Sequence, residues 1–285
     1  MLETKDLTIR FGGHVAVNAV SCAFAPGTLT AIVGPNGAGK TTYFNLISGQ
    51  LTASGGSVWL GGRDISGLGV AARTHAGLGR AFQLTNLFPN LSVLENIRLA
   101  VQATCAGAHR RGLNLWSIWS DHKQLTERAK DILAAVAMQD KEAATVASLP
   151  HGDQRKLEVA LLMALEPSVF MFDEPTAGMG VDEAPVILNL IRAHKNDKSK
   201  TILLVEHKMD VVRELADRII VLHNGALVAD GEPGEVIASK VVQEAYLGVH
   251  PQEAYLGVHP QEASGQDVAP PHPGLPPAGG RSDAP

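Results

Sequence analysis

Residues 34–41, Gly-Pro-Asn-Gly-Ala-Gly-Lys-Thr, constrain this chain more than any other segment. They fit the pattern GxxxxGK(S/T) and lie between the apolar, β-branched run Leu29–Val33 and a helix-like stretch at 42–48. Small residues let the backbone curl until successive N–H groups point inward, and the start of the following helix adds the positive end of its dipole. The result is a cradle for phosphates. In it Lys40 reaches the β and γ phosphates of ATP and the Thr41 hydroxyl takes a Mg²⁺ position, while Gly34, Pro35, Asn36, Gly37, Ala38, Gly39 and Thr42 complete the nucleotide contact. Each charge-assisted hydrogen bond lost there costs about 1.5–3 kcal/mol. An ordinary glycine-rich turn is the bland alternative, and the strand before and helix after it argue against that alternative.

The rest of the chain supplies a frame for such a loop. Residues 1–80 read as short apolar or β-branched runs with glycine turns, among them 7–11 and 57–60. Helical signals follow: Ser92 with Glu95 forms a capping box, and Asp121 with Gln124 predicts a second helix start ahead of Leu125, Ala129, Ile132, Leu133 and Val136. A further helix is expected from near Asp153, with Leu157, Ala160, Leu161, Ala164 and Leu165 on one side and Arg155, Lys156 and Glu158 on the other, ended by Pro167. Buried-strand runs return at 169–172 and Thr201–Val205, separated by a helix-like stretch at 183–194, an order that implies a parallel sheet. Asn224-Gly225, between runs at 219–222 and 226–229, predicts a tight hairpin turn with positive φ.

Composition narrows the function classes. A chain of 285 residues that is 45% hydrophobic can bury a substantial core. No run approaches the roughly 18 consecutive apolar residues of a membrane span, so a membrane role requires a partner. Residues 1–10 carry Glu3, Lys5 and Asp6 and lack the pattern of a secretory signal, which predicts a cytoplasmic location. Cys22 and Cys105 match no metal-ligand spacing. A net charge of -5 with no lysine-rich block argues against nucleic acid as a partner.

Beyond 242 the chain changes character. Gln243 opens QEAYLGVHP, Gln252 opens an identical copy, and Gln261-Glu262-Ala263 begins a third, so 243–263 reads as a tandem duplication too short for a stacked-repeat domain. In 264–285, ten of the 22 residues are proline or glycine, and the expectation is a disordered tail.

Four segments downstream of the phosphate loop resemble, in order, those of the ATP-binding cassette family, and the resemblance covers about residues 1–250. It implies an α/β P-loop fold with a mostly parallel core sheet, an antiparallel β subdomain and a helical subdomain inserted at about 84–165, all within 1–242. Val169 through Glu174 resembles the Walker B strand, which delivers two carboxylates at its C-terminal end. By that resemblance Asp173 holds Mg²⁺, directly or through water, and Glu174 is the general base toward the attacking water. Gln83 is similar to the Q-loop glutamine that touches Mg²⁺ and that water, and His207 to the switch histidine at the γ-phosphate. Phe11 resembles the aromatic residue that stacks on adenine, with Val17 as an apolar contact; its alternation with Leu7 and Ile9 equally suits a core strand residue.

Leu149-Pro150-His151-Gly152-Asp153 aligns with the LSGGQ signature that one subunit presents to the nucleotide of another. Pro150 replaces a serine hydroxyl and Asp153 replaces glutamine, which predicts a negative charge near a polyanion and a weaker phosphate contact. A helix cap alone is the competing reading. Gly180 stands where the D-loop of the family carries aspartate. These departures predict an asymmetric pair in which a second ABC ATPase supplies the better signature, a homodimer being the alternative. The single cassette, Phe11-Gly12-Gly13 and the insertion from Trp116 to Met138 resemble the larger ATPase of branched-chain amino-acid and amide importers. That resemblance implies two transmembrane permease subunits, an extracytoplasmic solute-binding protein and a peripheral place on the cytoplasmic face of the inner membrane. Trp116 and Trp119 pack on a neighbour or in the lobe core. An exporter motor, a soluble cassette ATPase acting on nucleic acid or ribosomes, and a P-loop kinase are the rival readings.

Overall fold

In the computed structural model, which describes residues 1–81, 87–106 and 117–242, the apolar runs form two sheets. Gln83, Trp116, the side chain of Trp119, the duplication at 243–263 and the tail at 264–285 lie outside the described residues. In chain order the first half contains β1 (Leu2–Phe11), β2 (His14–Phe24), β3 (Leu29–Val33), α1 (Lys40–Ser48), β4 (Gly55–Leu60), β5 (Arg63–Asp64), α2 (Val70–His75), β6 (Leu78–Arg80), α3 (Val93–Ala106) and α4 (Ser117–Ala135). The second half contains α5 (His151–Ala164), β7 (Val169–Asp173), α6 (Ala184–Lys195), β8 (Thr201–Val205), α7 (Met209–Leu215), β9 (Arg218–His223), β10 (Ala226–Gly231), α8 (Pro233–Ala238) and α9 (Lys240–Val242).

One sheet is antiparallel, in the order β2-β1-β4-β5; the other runs β10-β9-β3-β8-β7-β6, parallel except for the β10 edge. β3, β7 and β8 are buried at every residue because both faces are covered. Met171, Leu203 and Val205 face a core shared with the antiparallel sheet and α1, and Phe170, Phe172, Ile202 and Leu204 face α5 and α6. Register then aligns the carboxyl ends: Ile32 lies beside Val205, Val205 beside Asp173, and Arg80 beside Met171. Loops leaving that edge converge, as parallel α/β sheets require for a ligand site.

Helices α3, α4 and α5 form a lobe around Val93, Ile97, Val101, Ala129, Leu133, Val136, Leu157 and Ala160. The Ser92–Glu95 capping box is present: Ser92 Oγ accepts the Glu95 N–H at 3.1 Å and Glu95 Oε2 accepts the Ser92 N–H at 3.0 Å. The second expected cap is not, since α4 begins at Ser117 and leaves Asp121 inside the helix with no free start to cap. α5 also departs from a one-sided amphipathic helix. Its other face, Val159, Leu162 and Met163, packs on the sheet core, so Lys156 and Glu158 are buried between two layers rather than set in water.

Candidate active site

The phosphate loop is shaped by backbone that only glycine adopts without strain. Gly34, Gly37 and Gly39 have φ of 149°, 80° and 96°. A Cβ at Gly34 would stand 2.1 Å from the Leu222 carbonyl oxygen, whereas one at Gly37 would meet nothing within 4 Å, leaving that stretch of backbone open to a ligand. The Asn224-Gly225 turn, with φ of 48° and 76°, braces the loop from behind: Gly225 N–H donates to the Ala38 carbonyl at 3.0 Å and Asn18 N–H to the Gly225 carbonyl at 2.8 Å. Helix α1 starts at Lys40 with no side-chain cap and no acidic residue in its first turn, so its N–H groups remain available to an anion.

A cavity of about 270 Å³ opens above this loop, walled by Asn36, Gly37, Ala38, Gly39, Lys40, Thr41 and Thr42, by Glu174 and His207, and by His14 and Ala16 of β2. Val17 is not on its wall. The alternation of β2 turns that side chain into the core, fully buried, and brings out Ala16 instead. Phe11 is 51% exposed at the end of β1, not a core residue, and pairs across the hairpin with His14. Gly34 and Pro35 act through their carbonyls, both of which accept from Lys40 Nζ, at 2.7 and 3.0 Å. Burial pulls the Lys40 ammonium below the ordinary lysine value, against the opposing pull of Glu174 and Asp173.

At the sheet edge, Glu174 has φ of 49°, a conformation costly for a non-glycine residue and held by its N–H to the Val205 carbonyl at 2.9 Å. His207 Nε2 lies 2.7 Å from Glu174 Oε1. Glu206, not singled out by the sequence pattern, sets the histidine: it is buried, accepts the His207 N–H at 3.2 Å and the Thr176 hydroxyl at 3.2 Å, and burial raises its pKa. Asp173 is deeper, its side chain 1% exposed. Oδ2 accepts from Arg80 at 2.8 Å, and Oδ1 is buried without a hydrogen-bond partner. Such an oxygen, with the Thr41 hydroxyl on the cavity wall, suits a hard cation. Among the described residues no group of three or more His, Cys, Asp or Glu could hold a metal ion, so a cation here would need ligands beyond such a cluster.

Residues 17–177 match the ABC transporter family. The chain belongs to that family. The chain is 34% identical over 249 residues to the high-affinity branched-chain amino acid transport ATP-binding protein LivG of Escherichia coli strain K12, covering 87% of this chain and 98% of that protein. It is equally similar to BraF of Pseudomonas aeruginosa, which carries the same description. Among solved structures, the ADP conformation of MJ1267, an ATP-binding cassette of an ABC transporter, superposes with a TM-score of 0.71 at 29% identity, covering 87% of this chain and 99% of that one. Cassettes of this family hydrolyse ATP to power transport. The fold is the ABC cassette fold, and among the described residues no helix is long and apolar enough to cross a membrane.

The segment that aligns with the signature stands apart from the cavity, whose walls include none of Pro150, His151, Gly152 or Asp153. Pro150 caps α5, and it and His151 are exposed. Asp153 corrects the expectation of a charge facing phosphate: its side chain is 3% exposed, because the first helical turn swings it inward onto Lys141 Nζ at 2.5 Å and Lys156 Nζ at 3.3 Å. Burial works against its charge, but the two lysines prevail and hold its pKa below the ordinary aspartate value. Gly180 leaves its N–H to Glu183 Oε2 at 3.0 Å.

Proposed function

We propose that this chain is the ATP-hydrolysing subunit of an ABC importer that energises uptake of branched-chain amino acids or related amides. The reading rests above all on the Glu174–His207 pair, 2.7 Å apart at the mouth of the phosphate-loop cavity, in a chain 34% identical to LivG. Lys40 leaves its loop carbonyls for the β and γ phosphates, Thr41, Asp173 and Gln83 would hold Mg²⁺, and Phe11 stacks at the adenine end beside His14 and Ala16. Mg²⁺ would supply charge neutralisation on the phosphate oxygens. Glu174 takes a proton from the attacking water, and His207 holds the Glu174 carboxylate and approaches the γ-phosphate.

The cassette, within 1–242, sits at the cytoplasmic face of the inner membrane. It works with two permease subunits, an extracytoplasmic solute-binding protein and a second ABC ATPase, a heterodimer being favoured by Pro150 and Gly180. Pro150, His151 and Gly152 face the partner's nucleotide across that dimer. A groove of about 380 Å³ between the sheet and the lobe, lined by Leu87, Phe88, Leu99, Leu161 and Leu165 beside Arg80, supports a permease helix as its occupant. Phe88 is an exposed aromatic lining the same groove as Arg80, the residue that holds Asp173.

The test is Glu174→Gln in the transporter reconstituted into proteoliposomes with its binding protein. ATP affinity should stay within about twofold, and hydrolysis and leucine uptake should fall together by about 10²–10⁴. Unchanged turnover would remove Glu174 as the base. ATP-driven export of leucine, or hydrolysis by the isolated chain as fast as by the complex, would overturn the importer or the pairing of cassettes respectively.

A further inference from the structure

Lys156, buried in the second turn of α5, reaches two carboxylates on different segments. Its Nζ lies 3.3 Å from Asp153 Oδ1 on its own helix and 2.8 Å from Glu183 Oε1, just beyond the segment that follows β7. Glu183 uses its other oxygen to accept the Gly180 N–H at 3.0 Å. The same oxygen presses on the signature: a Cβ at Gly152 would stand 2.5 Å from Glu183 Oε2. Lys141, from the connection after α4, closes the network on Asp153 Oδ2 at 2.5 Å. Burial disfavours the Lys156 charge, but Glu183 and Asp153 outweigh it and hold the ammonium above the ordinary lysine value. Glu183 is held below the ordinary glutamate value by Lys156 and by the Gly180 N–H.

We propose that Lys156 and Glu183 form an ionic latch that makes the signature start of α5 and the 178–183 segment one rigid body, positioning both against the partner's nucleotide. The idea rests on the two-cassette reading above. A shared carboxylate packed on Gly152 and bonded to Gly180 leaves neither segment free to shift alone, and the lysine between Asp153 and Glu183 fixes the spacing. The aspartate that distinguishes this signature is therefore an internal anchor, and the surface offered to the partner is that of Pro150, His151 and Gly152. Lys156 and Glu183 are positioning residues, distinct from the phosphate loop of their own chain.

The experiment uses the assembled transporter with Lys156→Met, Glu183→Gln and the charge-conserving Lys156→Arg. Orthovanadate with labelled MgATP measures nucleotide trapped in the closed two-cassette state, and ADP affinity of the full isolated chain measures its own phosphate loop. Lys156→Met and Glu183→Gln should each trap at least tenfold less nucleotide with ADP affinity within twofold, and Lys156→Arg, which keeps the cation between the two carboxylates, should keep at least half of the trapping. Trapping by Lys156→Met and Glu183→Gln equal to the unaltered protein, or Lys156→Arg no better than Lys156→Met, would overturn the latch. Equal loss of trapping and ADP affinity would make the pair a general structural contact and overturn it too. Failure of the unaltered transporter to trap nucleotide would overturn the two-cassette reading itself, and the latch with it.

Discussion

Arg80→Met tests how the metal-side carboxylate is held. Arg80 and Asp173 form an ion pair whose side chains are 6% and 1% exposed. Arg80 also donates to Asn45 Oδ1 at 2.6 Å, Ser48 Oγ at 3.1 Å and Gln50 Oε1 at 3.0 Å, tying the end of β6 to α1. Burial dominates both partners, lowering the arginine pKa and raising that of Asp173 despite their attraction, so the pair itself contributes little net stability. Breaking it is another matter. Removing one partner of a buried pair leaves an uncompensated charge and costs about 3–5 kcal/mol. At about 2–4 °C per kcal/mol for a domain of this size, the melting temperature should fall by about 6–20 °C, read by calorimetry without nucleotide.

Asp173 can escape only by taking a proton. A folded-state pKa raised above the unfolded one gives stability that is present below the unfolded carboxylate value and lost as pH rises through the folded value. The deficit of Arg80→Met should therefore widen as pH rises from the acid range toward neutrality. Removing both charges, as Arg80→Met with Asp173→Leu, should restore part of the melting temperature because no orphan charge remains. A drop under about 3 °C, or a double variant no more stable than Arg80→Met, would refute the reasoning.

Gly34→Ala and Gly37→Ala separate crowding from backbone strain. The first drives a Cβ into the Leu222 carbonyl and should abolish ADP binding while lowering the melting temperature. The second should cost only about 1–2 kcal/mol of left-handed strain, and equal effects would contradict the loop geometry. Tyr43 is fully buried, hydrogen-bonded to Thr4 Oγ1 at 2.8 Å, and its pKa is held well above the ordinary value by burial. Above about pH 10 the unfolded chain loses this proton and the folded one does not, so stability falls as pH rises, by up to about 1.4 kcal/mol per pH unit. Tyr43→Phe should be about 1 kcal/mol less stable at pH 8, with that deficit shrinking above pH 10 in urea titrations; parallel curves for the two proteins would refute the assignment.

The sequence alone determined the elements whose signals are local. GxxxxGK(S/T) after Leu29–Val33, the Ser92–Glu95 box and Asn224-Gly225 depend on backbone conformations that neighbouring residues dictate, so strand, cap and turn could be read without coordinates. The parallel sheet followed from runs buried on both faces, and the family from the order of motifs. Tertiary structure alone decided which way side chains point and what each charge meets. Val17 fell to the core and Ala16 to the cavity by one step of strand alternation, and Asp153 turned from a presumed repulsive charge into a buried anchor. Arg80, Glu206, Lys156 and Glu183 carry no motif, because their partners lie 93, 30 or 27 residues away and meet only when strand register and helix packing bring them together. An ion pair is a property of two positions in space, and a single chain of letters fixes only one of them at a time.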